Sequence, residues 1–418
     1  MKATRTRYAV LALLVFHYAN SYVDRIAIAA TAPLIRHDFE LGDVGLGAVF
    51  TAFALAYGLF QVPWGWLSDR AGARRVLTIV VCAWSTFTAL TAVAWNTTSL
   101  LVIRFLFGAS EAGGFPSATR AMSRWLPAHE RGIAQGITHS GARFGAALAL
   151  PLVAAVAAAT SWRVAFALFG ALGFVWAAIW HRYYRDEPAD HPGINREELE
   201  IIGGSAQHSS DSSTSTFPWR TVLSSRNMRL LCLMYAATVY TGWIYFSWFP
   251  TYLTETRGFS LLQSGVYGSL PLWFGALGNT VGGWMTDRLA RSRGLRTGRR
   301  VVAIAGFFST VVCIVIGASS SNAWVALILL SLASGALQIT VSVSWATAID
   351  IGSDFSGTVS AVMNSSGNLG GAISPLSFGA LAAWSGSWEV PFVVAAGLCT
   401  IAGLCWFGID PERSILDP

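Results

Sequence analysis

Apolar runs of about twenty residues recur along the whole chain, each long enough to cross the ~30 Å hydrocarbon core of a bilayer as a helix. Inside lipid every backbone polar group must find its partner within the protein, so only helices or closed barrels are allowed, and runs of this length select helices. Composition agrees. Of the 418 residues 54% are hydrophobic and 12% charged, against about 25% charged in a typical soluble domain. Twelve spans are expected, at roughly 8–32, 44–67, 75–95, 99–119, 132–158, 163–182, 228–252, 262–286, 300–318, 323–348, 357–382 and 389–409. The fold class is therefore all-α integral membrane, with twelve transmembrane helices.

The net charge of +6 does not point to nucleic acid, because the basic residues gather in alternate loops between spans. Lys2, Arg5 and Arg7 precede the first span; Arg70, Arg74 and Arg75 follow the second; Arg124 and Arg131 lie between the fourth and fifth. Six more arginines, from Arg288 to Arg300, lie between the eighth and ninth. The opposite loops are acidic or neutral, with Asp38, Glu40 and Asp43 after the first span. This positive-inside pattern places both termini in the cytoplasm. The loop with Asp350 and Asp354 breaks the trend. The opening MKATRTR and its apolar run resemble a signal peptide in outline, but no small-residue cleavage site follows and the run continues into YVDR, so it is read as the first span. Cys82, Cys232, Cys313, Cys399 and Cys405 lie in apolar segments without CxxC spacing, which predicts small buried hydrophobes, with neither disulfide nor metal site.

A polar stretch from His181 to about Asn227 separates six spans from six. It holds a short amphipathic piece, INREELEII, expected as a surface helix, and a Ser-rich run, SSDSSTSTF, expected as a flexible linker. The expected division is residues 1–183, a cytoplasmic linker at 184–227, and 228–418. The halves repeat: GWLSDR at Gly65–Arg70 returns as GWMTDR at Gly283–Arg288, and SWRVAF at Ser161–Phe166 as SWEVPF at Ser387–Phe392. Two related six-helix bundles about a central cavity are the architecture of a rocking transporter.

Against this apolar background, charges within spans carry the chemistry. Arg104 and Glu111 are seven residues apart, close to two helical turns, and so share nearly one face. Each costs about 2.5 to 3.5 kcal/mol at the centre of a membrane helix on insertion scales. Asp24 and Arg25 lie in the first span. Either these groups face a cavity that a solute enters, or Arg104 and Glu111 glue their helix to a neighbour; the second charged site weakens the glue reading. Arginine suits an anion because its planar fork gives a carboxylate two parallel hydrogen bonds and stays charged. Arg104 is the first candidate for that role, with Tyr22 and Tyr57 as hydroxyl donors unless they serve packing. Asp24 and Glu111 are the proton candidates, since burial favours the protonated carboxyl and a nearby arginine the ionised one. Arg25 is either a substrate contact or the fixed partner of one carboxylate. The second half has almost no mid-span charge but offers Trp345, Asn364 and Asn368, so charge recognition is expected in the first half and hydrogen bonds with an aromatic wall in the second. For Trp345 plain packing is an equal alternative.

Gly65 to Arg75, read as G-x-x-x-D-R-x-G-x-R-R, resembles the signature of the major facilitator superfamily. What the resemblance implies is a gating role for Asp69, Arg70, Asp287 and Arg288, with acids at helix ends reaching cations and helix termini to latch one face closed. Four further motifs are similar to those of the anion:cation symporters: Tyr22-Val-Asp24-Arg25, the Arg104–Pro116 run, Trp125–Arg131, and Asn364–Gly371. That family includes bacterial sugar-acid/proton symporters, and the likeness covers nearly the whole chain. It implies a proton-coupled symporter of an organic anion in the bacterial inner membrane, working by alternating access, with a proton as coupling ion, no other cofactor, and a monomer in the bilayer. A facilitator, antiporter or exporter of an aromatic or dicarboxylic acid is the alternative. One departure matters. Some sugar-acid members place a glutamine where this chain has Ala142, between His139 and Arg143. His139 and Arg143 are one turn apart, and either add an anion contact or leave Arg143 to polar loop groups.

Other classes fail on residues. His129-Glu130 lacks the second histidine of a zinc protease because Ile133 stands there, and Gly108-Ala-Ser110 is followed by Ala112 where a nucleophile elbow needs glycine. Lys2 is the only lysine, so no phosphate-binding G-K-[ST] loop exists.

Overall fold

The computed structural model describes residues 3–41, 43–203, 219–259, 263 and 266–415. Among these residues every regular element is a helix, as backbone satisfaction in lipid requires. The Ser-rich run at 209–217 lies outside the described residues.

In the first half the helices are α1 (Thr6–Ala30), α2 (Ala32–Asp38), α3 (Asp43–Ala71), α4 (Ala73–Thr91), α5 (Thr97–Glu111), α6 (Gly114–Trp125), α7 (Arg131–Ala159) and α8 (Trp162–Tyr183). The linker contains α9 (Arg196–Ile202) and α10 (Trp219–Ser224). The rest are α11 (Arg226–Ser247), α12 (Phe249–Glu255), α13 (Leu270–Arg293), α14 (Leu295–Ser319), α15 (Ala323–Gly352), α16 (Ser356–Ser385) and α17 (Glu389–Gly408). Several starts are written in the sequence as caps. The Asn96 side chain accepts from the Ser99 amide and Ser99 returns the bond, a full capping box, while Ser161, Asn195 and Asn322 cap α8, α9 and α15. Seven helical stretches among the described residues are long and apolar enough to cross a membrane. The fourth expected span departs from a single helix: α5 ends at Glu111 and α6 begins at Gly114.

The chain divides into two compact units. The first comprises Met1–Pro127, Gly141–Phe217 and Asp354–Ala361; the second comprises Ala128–Ser140, Pro218–Ser353 and Val362–Pro418. The described linker residues 184–203 thus belong with the first unit, and α7 and α16 each contribute to both. The first unit has an apolar core around Ile28, Ile35, Leu100, Val153, Phe166 and Phe169. That of the second is aromatic, with Tyr245, Phe249, Tyr252, Phe378 and Phe392 packed together.

Candidate functional site

Within the first unit, α1 and α5 bring together the charges that the sequence singles out. Glu111, at the end of α5, accepts a 2.6 Å hydrogen bond from Ser21 Oγ on Oε1, and Arg25 Nη2 approaches the same oxygen to 3.2 Å. Its second oxygen, Oε2, is buried without a hydrogen bond. Arg25 sits among aromatic faces, its guanidinium 4.6 Å from the Tyr57 ring, 4.8 Å from Tyr22 and 5.2 Å from Phe53. Such stacking suits a weakly hydrated planar cation and fixes it while leaving hydrogen-bond capacity.

Arg104 is 1% exposed, yet Nε and Nη1 are buried without hydrogen bonds. It is held by apolar contact, 4.5 Å from the Phe107 ring and 5.3 Å from Phe53, and its charge acts on Glu111, Arg25 and Asp24. Asp24 is likewise 1% exposed; Asn20 Nδ2 lies 3.4 Å from Oδ2, and Oδ1 has no hydrogen bond. Two arginines and two carboxylates thus share one interior in which each arginine and each carboxylate retains an unused hydrogen-bonding atom. Leaving a buried polar atom unpaired costs about 1–3 kcal/mol, more for a charged group. A fold tolerates several such atoms together where a solute or proton completes them.

The expected second-half residues belong to the second unit. Trp345 is fully buried and donates from Nε1 to Tyr235 Oη at 2.7 Å, with the His139 ring 5.2 Å away. Asn364 is 8% exposed, and Asn368 Nδ2 is buried without a hydrogen bond.

The two repeated Asp-Arg motifs have parallel surroundings. In the first unit Asp69 caps the start of α16, accepting from the amides of Gly357 (2.9 Å) and Thr358 (2.6 Å) and from Thr358 Oγ1 (2.6 Å), with Arg120 Nε at 3.7 Å. In the second unit Asp287 does the same for α7, accepting from the amides of Gly132 (3.1 Å) and Ile133 (2.6 Å) and pairing with Arg299 at 2.7 Å. Each carboxylate neutralises the positive end of a helix. Close approach is possible because the residue four before each aspartate is glycine: a Cβ on Gly65 would stand 2.6 Å from the Gly357 carbonyl oxygen, and one on Gly283 2.2 Å from that of Gly132. Arg70 and Arg288 take no part in these caps. Both are exposed, with guanidinium groups 5.2 Å from the Trp66 and Trp284 rings.

Several residues of these clusters carry no signal of their own in the sequence. Ser21 is a small polar residue in an apolar helix, and Arg120 and Arg299 look like ordinary members of the positive-inside set. The acidic loop that breaks the charge rule has a use. Asp350 pairs with Arg131 and Arg299, each at 3.0 Å, and Asp354 lies 3.8 Å from Arg124.

Comparison with known proteins places this architecture. The chain matches the family model of the Major Facilitator Superfamily over residues 13–375 and again over 294–417. It is 36% identical over 415 residues to the "probable sulfoacetate transporter SauU" of Cupriavidus necator, covering 99% of this chain and 96% of that one. Against the "probable galactarate/D-glucarate transporter GudP" of Escherichia coli it is 30% identical, covering 100% and 96%. Among solved structures, FucP in its outward conformation superposes with a TM-score of 0.78 at 16% identity, over 97% of this chain and 100% of that one. The chain belongs to the major facilitator superfamily. It is an integral membrane transporter, not an enzyme, and is related to transporters of sugar acids and other organic anions.

Proposed function

We propose that the protein is a proton-coupled symporter of a small organic anion, a carboxylate of the sugar-acid class, working by alternating access. The observation that carries this reading is the Arg104 guanidinium, buried with two unpaired nitrogens in the same interior as two carboxylates with unpaired oxygens. Arg104 receives the anion, Arg25 holds Glu111, and Tyr22 and Tyr57 wall the site around Arg25. His139 adds a contact from the first half, and Trp345, Asn364 and Asn368 supply the polar and aromatic contacts of the second. Asp24 and Glu111 carry protons. An anion that occupies Arg104 weakens its hold on the ionised carboxylates and so favours proton uptake, which makes anion and proton mutually stabilising. Relatives named for sulfoacetate and for galactarate and D-glucarate supply the first substrates to try.

In this reading the halves 1–183 and 228–418 move about the linker. The Asp69 and Asp287 caps release when the carrier reorients, with Arg70 and Arg288 at the same rim. The protein works as a monomer in a bacterial inner membrane, both termini cytoplasmic, with the proton as its coupling ion and no other cofactor.

The test is uptake of radiolabelled D-glucarate and sulfoacetate into proteoliposomes, with and without an imposed pH gradient, alongside counterflow. The parent protein accumulates substrate only with the gradient. Glu111→Gln keeps substrate exchange and loses at least nine-tenths of gradient-driven accumulation; Asp24→Asn does the same if its proton is transported. Undiminished accumulation in both variants removes these carboxyls from coupling.

A further inference from the structure

Behind Asp24 lies a second buried titratable group that the mechanism above does not use. His17 is 1% exposed in the middle of α1, and both ring nitrogens are buried without a side-chain hydrogen bond. It lies seven residues before Asp24, on the same face of α1 and about 10 Å nearer its N-terminal end. Asn20 lies between them on that face and reaches Asp24 at 3.4 Å. Trp84 touches both ends of the gap. Its ring stands 5.1 Å from the His17 ring, while its indole N–H faces the Asp24 carboxylate just outside full hydrogen-bond geometry. Trp176 closes the far side at 5.0 Å.

The buried atoms without a side-chain hydrogen bond along this face include both nitrogens of His17, one of which meets the Gly114 backbone, together with Asp24 Oδ1 and Trp84 Nε1. Buried polar atoms left open beside indole rings are the kind of partner that a buried water takes, two to four at a time. Charge does not explain the histidine. Around it α4 presents Trp84, α8 presents Trp176 and α6 the Gly114 backbone, and Tyr18 is its neighbour on α1. α7 approaches this stretch of α1 through Gly141 at Val15 and Gly145 at Ala19. The charged groups that act on Asp24 are Glu111 and Arg104, both on α5.

We propose that His17 is the inner proton partner of Asp24, receiving its proton through one or two bridging waters and releasing it toward the N-terminal end of α1. The step conserves atoms and charge. The Asp24 O–H bond breaks, an N–H bond forms on the imidazole, and the neutral acid and neutral imidazole become carboxylate and imidazolium. Asp24 then has a route to each side of the carrier, the substrate cavity on one and His17 on the other. This inference rests on the proton-symport reading.

The experiment uses full-length protein in proteoliposomes with D-glucarate and sulfoacetate as probes, comparing the parent with His17→Gln and His17→Phe. Gln keeps polarity without titrating, and Phe keeps the ring alone. Expected is an at least tenfold fall in gradient-driven accumulation in both variants, with at least half of parental counterflow retained. The dependence of accumulation on internal pH, present in the parent, flattens in both. Accumulation within twofold of the parent in His17→Gln overturns the proposal while leaving proton symport standing. Parallel loss of counterflow and accumulation in both variants assigns His17 to packing and overturns it equally. A parent that shows no gradient-driven accumulation of either probe overturns the symport reading, and this inference with it.

Discussion

Both units bury polar atoms within apolar cores, but they treat those atoms differently. In the second unit the open buried atoms belong to neutral groups, Gln135 and Asn368 among them, and other neutral groups are spent within the fold. Ser342 Oγ donates to the Asn279 carbonyl at 2.7 Å, Asn279 Nδ2 lies 3.4 Å from Gln338 Oε1, and Ser374 Oγ donates to the Tyr240 carbonyl at 2.7 Å. In the first unit the charged groups are left partly unspent, with open atoms on Asp24, Arg25, Arg104 and Glu111. Satisfied networks rigidify a fold, whereas an unsatisfied charged cluster is a reservoir of interaction energy that only a ligand or a proton can release. The contrast separates polar residues that hold helices together from those that the proposed mechanism uses, without reference to which residues resemble those of a family.

The comparison breaks most directly at Arg104. If its open nitrogens await an anion, the planar fork matters as much as the charge. Arg104→Lys keeps the charge and loses the fork, and weakens anion binding at least tenfold, about 1.4 kcal/mol. Titration of purified protein with D-glucarate or sulfoacetate, followed by thermal shift, reads this directly. Parental affinity in the lysine variant would refute bidentate recognition and move the role to Arg25 or Arg143.

Glu198 sharpens the same comparison as a carboxylate with the opposite circumstances in the same unit. It is fully buried on α9, yet it accepts from the amides of Thr6 and Arg7, each at 3.0 Å, and from Thr4 Oγ1, and pairs with Arg7 Nη1 at 3.2 Å. Burial alone would raise its pKa, but the hydrogen bonds from Thr4, Arg7 and Thr6 outweigh it and hold the carboxyl below the ordinary glutamate value. A depressed folded-state pKa contributes stability that is present above the ordinary value, about 4.3, and is lost as pH falls through the folded one. Glu198→Gln therefore lowers stability by about 1 kcal/mol at pH 7, and its deficit shrinks as pH is lowered below 4. Transport is little changed. Thermal melts of both proteins at the two pH values decide the matter; a deficit independent of pH would show that shape rather than charge holds the clasp.

What was legible beforehand follows the same division. Asp24, Arg25, Arg104 and Glu111 stood out because a charge in an apolar run is an exception that insertion energetics penalise, and α1 and α5 do bring them together. The repeat of Gly65–Arg70 at Gly283–Arg288 announced the paired helix caps, although its arginines turn out to stack on tryptophans while Arg120 and Arg299 approach the acids. Those two were hidden because the positive-inside rule accounts for every loop arginine alike. His17 was hidden for the opposite reason. A single neutral histidine does not alter the hydropathy of its span, and only the packing of Trp84 and Trp176 around it exposes its unpaired nitrogens. The break between α5 and α6 passed unread within an apolar stretch whose glycines allow either course.

The smallest effect belongs to the satisfied side of the comparison. Trp345 stood in the sequence between an aromatic wall for substrate and ordinary packing, and its environment gives the indole a defined structural task. It is fully buried, its N–H donates to Tyr235 Oη at 2.7 Å, and its ring meets those of Tyr235 and His139 at 6.3 and 5.2 Å. Phenylalanine at this position keeps an apolar ring but removes the donor and part of the volume. The lost hydrogen bond and the small cavity together cost about 1 kcal/mol of stability. If the indole acts on substrate only by holding His139 in place, Trp345→Phe changes affinity less than threefold, well inside the loss expected for Arg104→Lys. Binding and melting measured on the same preparation separate the two roles. A tenfold loss of affinity with an unchanged melt would make Trp345 a direct substrate contact, and would extend the set of acting residues from the charged groups of the first unit to a neutral ring of the second.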